Sequence, residues 1–329
     1  MKNATEARKP AWRVSEESRP WPSVDAVSRC LRAILGLKLE NPKMEALGGR
    51  TVSIVGGEVK RETRLTLLRQ RCADARVVSP LGEEYEALRC LSAVHPGLVP
   101  RPLGLIHPSG SEELLVLPWV EGSRLGSPST LHSDAYRVAS ILADALTDLH
   151  RAGRRFALGR FSRALRIERL LQRAESSHLR GTLFPGAAWD RVLDTVATLA
   201  EDLDSATLLH GDPHAYNLIE TAAGCCWLDF ERLSVGPPQF DHARAWVLLH
   251  AQAETAVPTP WDRDAEGQLV CRFLTAVSFL EDGATTWTRP ARRAVECALR
   301  HVFRDLQSSA CHGNRVHREG GGSDQRLRK

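Results

Sequence analysis

Six side chains able to move protons or hold cations fall within 22 residues: His210, Asp212, His214, Asn217, Asp229 and Glu231. Asp212 and Asn217 stand five apart across a polar loop, and Asp229 ends the returning strand of the hairpin that follows. A hairpin there carries all three toward one edge. That set suits phosphoryl transfer, in which one Asp orients and accepts the proton of an acceptor hydroxyl, an Asn five residues on binds Mg²⁺, and an Asp after the next hairpin holds the bridging metal. Taken singly, each residue also fits a bland role, because Asp, Asn and His side chains readily satisfy turn backbone. Only the ordered set points to chemistry. A rival reading takes His210 and His214, four apart, with Asp212, Asp229 and His242 as ligands of a metallohydrolase. Gly211 and Pro213 oppose the helix that spacing needs, since proline removes a backbone donor and clashes with the preceding turn.

Other nucleotide and hydrolase signatures are missing. Only six of the 44 basic residues are lysines (Lys2, Lys9, Lys38, Lys43, Lys60 and Lys329), and none precedes Ser or Thr, which removes the P-loop. GxGxxG, HExxH and GxSxG are absent as well. The eight cysteines show no CxxC spacing, and the adjacent Cys225 and Cys226 point to opposite faces of a strand, a pattern suited to a reduced cytosolic protein. The first 22 residues hold no apolar leader core, and no apolar run of 18 residues occurs, so a soluble, cytoplasmic chain off the membrane is expected.

The elements must be laid out to hold that hairpin. A chain of 329 residues with 43% apolar and 26% charged side chains has ample core for two compact units. Its net charge of +4 resides in its ends: residues 1–22 carry +2 and 312–329 carry +3, leaving −1 between them. Both ends read as flexible tails, and basic tails without interleaved aromatics give no case for nucleic acid. Helical spacing predicts a helix over 24–35, capped by Ser23 and stopped by Gly36, and another over 82–95. Residues 46–71 predict two or three antiparallel strands broken at Gly48-Gly49 and Gly56-Gly57, and strands at 102–107 and 113–119 follow. Past residue 120 helices dominate, at 129–152, 163–177, 187–203, 240–253, 265–281 and 290–307, with the 207–233 hairpin embedded among them.

The segments HGDPHAYNLI and CCWLDFE resemble the signature of the aminoglycoside phosphotransferase and choline kinase group, small-molecule kinases with a protein-kinase-like fold. Distant segments agree in order: EEYEALRCL resembles the helix carrying the partner of the nucleotide cation, LLVLPWVEG the hinge between lobes, SILADALTDLH the helix before the catalytic loop, and FDHARA the Asp-led helix after the metal Asp. The resemblance spans about 46–246. It implies an α+β, bilobal fold with an N-terminal tail (1–22), an antiparallel-sheet N-lobe (23–120), a mainly helical C-lobe (121–311) and a basic C-terminal tail (312–329).

Carried over position by position, the resemblance makes Asp212 the catalytic base with His210 bracing its loop, and Asn217 and Asp229 the Mg²⁺ ligands. Gly48 and Gly49 fall where the family's loop closes on phosphates, Glu84 is the helix glutamate, and Pro118 and Val120 meet the purine base of ATP, with GTP an alternative. Arg69 stands where the family's strand lysine is usual, and Arg71 is its same-face alternative. Arginine keeps the charge and grips phosphate bidentately, though with a bulkier head. Asp241 reads as a helix cap rather than a catalyst. The implied acceptor is a hydroxyl on a small molecule: an aminoglycoside-like or other antibiotic, or an amino-alcohol metabolite. Nine carboxylates against four arginines between Asp229 and Asp282 form an acidic stretch that would concentrate a cationic acceptor, or else a solvated face. A pseudokinase without transferase activity is the non-enzymatic alternative, opposed by the retained Asp212, Asn217 and Asp229. The assembly is expected to be a monomer or homodimer.

Overall fold

The computed structural model describes residues 21–48, 51–56, 63–71, 80–109, 112–126, 128–156, 161, 163–203, 206–255, 257, 266–282 and 287–319. Most of the expected N-terminal tail, the last ten residues of the C-terminal one, and Gly49 and Lys60 lie outside them. In chain order the elements are α1 (Val24–Leu35), β1 (Lys43–Gly48), β2 (Thr51–Gly56), β3 (Thr63–Arg71), α2 (Pro80–Val94), β4 (Gly104–Ser109), β5 (Glu112–Pro118), β6 (Ser123–Arg124), α3 (Pro128–Gly153), α4 (Ile167–Glu175), α5 (Leu179–Thr182), α6 (Gly186–Ala200), β7 (Thr207–Leu209), β8 (Leu218–Thr221), β9 (Gly224–Trp227), β10 (Ser234–Gly236), α7 (Gln239–Ala253), α8 (Glu266–Asp282) and α9 (Arg289–Glu319). They group into two compact units: residues 1–125 with 151–156 and 216–233, and residues 126–150, 157–215 and 234–329.

The first unit holds an antiparallel sheet in the order β1-β2-β3-β5-β4. The two or three strands expected within 46–71 are three, β1 to β3, the first beginning at Lys43. Ser23 accepts from the Ala26 N–H at 3.2 Å, and Gly36 closes α1 at φ 67°, a left-handed value that glycine adopts without penalty. Val27 and Leu31 of α1 seal one sheet face against Val52, Ile54, Leu65, Leu67, Leu114 and Val116. Each such burial contributes roughly 1.5–3 kcal/mol. The alternate residues Leu68, Leu115 and Leu117 are buried on the opposite face, and α2 packs on β4 and β5.

A second, three-stranded sheet runs β6-β8-β9. At its turn the Thr221 hydroxyl accepts from Ala223 N–H and donates to the Gly224 carbonyl, and Gly224 turns the chain at φ 129°. Trp227 is fully buried, and its N–H donates to the Leu98 carbonyl at 2.8 Å. Just before β6, Gly122 has φ 150°, and a Cβ there would lie 2.1 Å from the Glu220 carbonyl oxygen. No side chain fits that crossing. Gly122→Ala is expected to lower stability by about 2 kcal/mol or more, read as a lower urea midpoint; an unchanged midpoint would show that the crossing yields freely.

The second unit is mainly helical. Residue Asp134 departs from helical geometry within α3 (φ −154°, ψ 61°), and its carboxylate accepts the Arg137 N–H at 3.0 Å, so the helix restarts on a cap. Phe184, Trp189, Phe273 and Phe303 build the core between α6, α8 and α9, with Phe184 and Phe303 stacked at 4.0 Å. Two findings differ from expectation. The helix expected over 163–177 begins only at Ile167, because Ala164 is taken into a bridge with Val235. The helix expected to end at 307 continues as α9 to Glu319, eight residues into the expected tail, since no proline interrupts that stretch. Among the described residues, no helix is long and apolar enough to cross a membrane.

Candidate active site

The loop carrying His210 and Asp212 follows β7, which pairs antiparallel with β10, Leu209 opposite Ser234. A three-residue pairing at 234–236 carries too little pattern to be read from sequence, and that strand was not anticipated. Gly211 makes the bend at φ 77°.

The loop is held by a buried acid. Asp241 accepts from the His210 N–H at 2.7 Å, the Gly211 N–H at 3.0 Å and His150 Nε2 at 3.0 Å. The capping role read from sequence is corrected here: α7 starts at Gln239, so Asp241 lies inside its first turn and its carboxylate turns toward the loop. The His150 carbonyl accepts from the Thr207 hydroxyl at 3.0 Å, which ties α3 to β7. His210 Nδ1 accepts the Asp212 N–H at 3.3 Å. Arg244 donates to the Gly211 carbonyl, and His214 Nε2 stands 3.9 Å from the Asp212 carboxylate. Four of these contacts fall on the loop backbone, at the N–H groups of His210, Gly211 and Asp212 and at the Gly211 carbonyl.

Burial pushes the Asp241 carboxyl up, but the hydrogen bond and charge of His150, the charge of His210 and the Gly211 N–H outweigh it and hold the group below its ordinary range. Burial, with the nearby charges of His150 and Arg272, pushes His242 down to about 3 against a smaller opposing pull from Asp241. His242 is therefore neutral in the fold. The unfolded chain takes up that proton near pH 6.5, so the contribution is complete above that pH and is lost as pH falls toward 3. The depressed Asp241 loses its own contribution only below about pH 4, under the ordinary carboxylate range. Between pH 7 and 4.5, His242 should account for about 2 to 3 kcal/mol of lost stability. Urea unfolding at both pH values should show a smaller acid loss for His242→Gln than for the native chain; equal losses would place the proton uptake elsewhere.

In the first unit, Asn217 ends a 3₁₀ turn over Ala215–Asn217 and leads directly into β8. The β8–β9 register sets Leu218 opposite Trp227, and the Leu228 N–H donates to the Asn217 carbonyl at 2.8 Å, so the hairpin brings Asn217 beside the Leu228-Asp229 segment. Asp229 has φ 62°, a left-handed backbone that costs an ordinary residue energy and that clusters at functional positions. The next N–H, of Phe230, donates to the buried Glu84 carboxylate at 3.1 Å. Glu84 thus anchors the end of the β8–β9 hairpin, a link 146 residues long that sequence spacing does not announce.

The remaining expected residues are placed as follows. Gly48 ends β1 beside an irregularity in its pairing. Pro118 pairs with Leu65, the Trp119 N–H donates to the Arg64 carbonyl at 3.2 Å, and Val120 is half-buried. Arg69 lies opposite Leu114, on the face covered by α1, where its guanidinium stands 4.6 Å over Trp21 and 3.7 Å from the Glu112 carboxylate. Arg71, two residues on, is on the same face. In the acidic stretch, Asp241 serves the loop, Glu254 accepts from the Thr288 hydroxyl, Glu281 accepts from Ser177 and His178, and Asp282 pairs with Arg173. Among the described residues, no group of three or more His, Cys, Asp or Glu forms a ready metal cage.

A family model described as the phosphotransferase enzyme family matches residues 55–274, two-thirds of the chain. Among solved structures, a choline/ethanolamine kinase family protein from Mesorhizobium loti is 16% identical over 87% of this chain and 98% of its own, with a TM-score of 0.53. Amicoumacin kinase hAmiN, in complex with AMP-PNP, Ca²⁺ and Ami, is 13% identical over 82% of this chain and 90% of its own, at 0.50. Spectinomycin phosphotransferase, in complex with ADP and spectinomycin, is 10% identical over 89% and 99%, also at 0.50. No curated protein sequence matches. The family match, the antiparallel sheet with its helical companion unit, and the loop and hairpin between β7 and β9 agree on one conclusion: the chain belongs to the phosphotransferase enzyme family and is a small-molecule kinase with a protein-kinase-like fold.

Proposed function

We propose that this enzyme transfers the γ-phosphoryl group of ATP to a hydroxyl of a small molecule with Mg²⁺ as the metal, and that Asp212 is the catalytic base. The observation that carries this reading is the loop around Asp212, whose backbone is held by Asp241, His210 and Arg244. A side chain on a loop fixed in this way can hold an acceptor hydroxyl in line with the phosphate and take its proton. The nucleotide complexes of the amicoumacin kinase and the spectinomycin phosphotransferase support ATP, and their acceptors support a hydroxylated antibiotic or comparable metabolite.

The donor set fits Mg²⁺. Asn217 and Asp229 offer only hard oxygen atoms, and Mg²⁺ takes one or two protein ligands together with substrate phosphates and water rather than a full protein cage. When bound there, the metal offsets the charge of the transferring phosphoryl group. Asn217 is fixed by the hairpin and Asp229 by the Glu84 contact on its neighbour, so both oxygens are presented by constrained backbone. On the nucleotide side, Gly48 and Gly49 would approach the phosphates, and the Pro118 carbonyl and Val120 N–H would meet the purine. Arg69 is the proposed phosphate cation; that role requires its guanidinium to exchange Glu112 and Trp21 for phosphate oxygens.

Calorimetry with Mg·ATP tests the metal assignment. Asp229→Asn is the informative variant because Asn tolerates the left-handed backbone that Ala does not. It is expected to abolish the Mg²⁺-dependent part of ATP binding while leaving the unfolding midpoint in place. Unchanged Mg·ATP affinity would remove Asp229 from the metal site.

A further inference from the structure

A cavity lies in the helical unit, lined by residues of neither the 210–217 loop nor the β8–β9 hairpin. It measures about 420 Å³, within the size range of small-ligand pockets. Its apolar wall is Leu183, Phe184, Pro185, Ala188 and Phe303, from the α5–α6 connection and α9. Its opposite rim is basic, formed by Arg300, His301 and Arg304 of α9.

The two arginines are in a different state from their neighbours. Arg173, Arg180 and Arg292 are each matched by a carboxylate: Asp282, Asp190 and Glu296. Among the described residues, no carboxylate pairs with Arg300 or Arg304. Arg300 uses Nη1 on the Leu183 carbonyl at 3.2 Å and lies 5.7 Å over the Phe184 ring, so its head is held at the cavity edge. Arg304, also on the cavity rim, donates its Nε to the Arg300 carbonyl at 3.4 Å. Guanidinium forks beside an apolar wall match a carboxylate or sulfonate joined to an apolar body.

We propose that this cavity binds a small amphipathic anion, an acyl or aryl carboxylate, with its acid group on Arg300 and Arg304 and its apolar body against Phe184, Pro185 and Phe303. Charge complementarity selects an anion over a neutral compound, and a volume of about 420 Å³ fits a small molecule.

Trp189, whose ring centroid is 5.5 Å from that of Phe184, provides the readout. The full-length protein is titrated with anilinonaphthalene sulfonate, followed by its own emission and by energy transfer from tryptophan, and then challenged with octanoate or octanol. The expected result is saturable 1:1 binding displaced by octanoate and not by octanol, about tenfold weaker in Arg300→Gln and again in Arg304→Gln. Unfolding midpoints and phosphotransferase activity should stay at the native values, which separates this site from the catalytic one. Absence of saturable binding, equal displacement by octanol, or an affinity indifferent to both substitutions would each overturn the proposal. So would loss of the binding on dilution together with a dimer in sedimentation, which would assign the cavity to a second copy of the chain.

Discussion

Asp212→Asn is expected to lower turnover by about 10² to 10⁴-fold, the usual worth of a positioned general base. Asparagine keeps the size and a hydrogen-bonding oxygen but cannot take the acceptor proton at neutral pH. Because the loop is shaped by the His210, Gly211 and Asp212 N–H groups and by the Gly211 carbonyl, the substitution leaves its backbone contacts in place. Nucleotide affinity and melting temperature should therefore be those of the native enzyme. The loss should appear in kcat, measured by coupled ADP release with any accepted hydroxyl compound. Turnover within threefold of native would sink the assignment and move the base elsewhere on the loop.

Asp241→Ala should produce the largest stability effect in the molecule, about 3–5 kcal/mol, because it removes one partner from a buried, charge-assisted network. Three donors lose their acceptor at once: the His210 and Gly211 N–H groups and the His150 ring. Water cannot replace the carboxylate without opening the site, which is only 1% exposed. Turnover should fall as well, since the Asp212 loop would no longer be fixed. Asp241→Asn separates the two effects, as its single amide oxygen can keep one or two of the three contacts; an intermediate loss is expected. Urea unfolding measures both, and a loss below 1 kcal/mol for Asp241→Ala would show that the loop is organised by other contacts.

Local features were legible in the sequence because local rules govern them. The cap at Ser23, the stop at Gly36, the hairpin around 222–224 and the order His210, Asp212, Asn217, Asp229 all depend on neighbours within a few residues. Contacts made across the chain were not. His150 lies 91 residues from Asp241, and Glu84 lies 146 from Phe230, so helix periodicity could place each on its helix without naming its partner. The surroundings of Arg69 were hidden for a related reason. Alternation shows that residues 65, 67, 69 and 71 share a face of β3, but which element covers that face depends on where α1 packs. The short apolar strand β7 was readable, but its three-residue partner β10 carries too little pattern to be seen without it.

The backbone crossing at Gly122 also has a kinematic meaning. Ser123 and Arg124 pair with Glu220 and Ile219, and the Leu125 N–H donates to the Leu218 carbonyl at 2.9 Å, so the stretch just past Pro118 and Val120 is zipped to the hairpin that bears Asn217 and Asp229. All of these residues belong to one compact unit. A purine held at Pro118 and Val120 and a metal held at Asn217 and Asp229 would ride on a single mechanical part. The span from base to phosphates would then be gauged by that part alone, much as a caliper's setting is independent of what is brought to it.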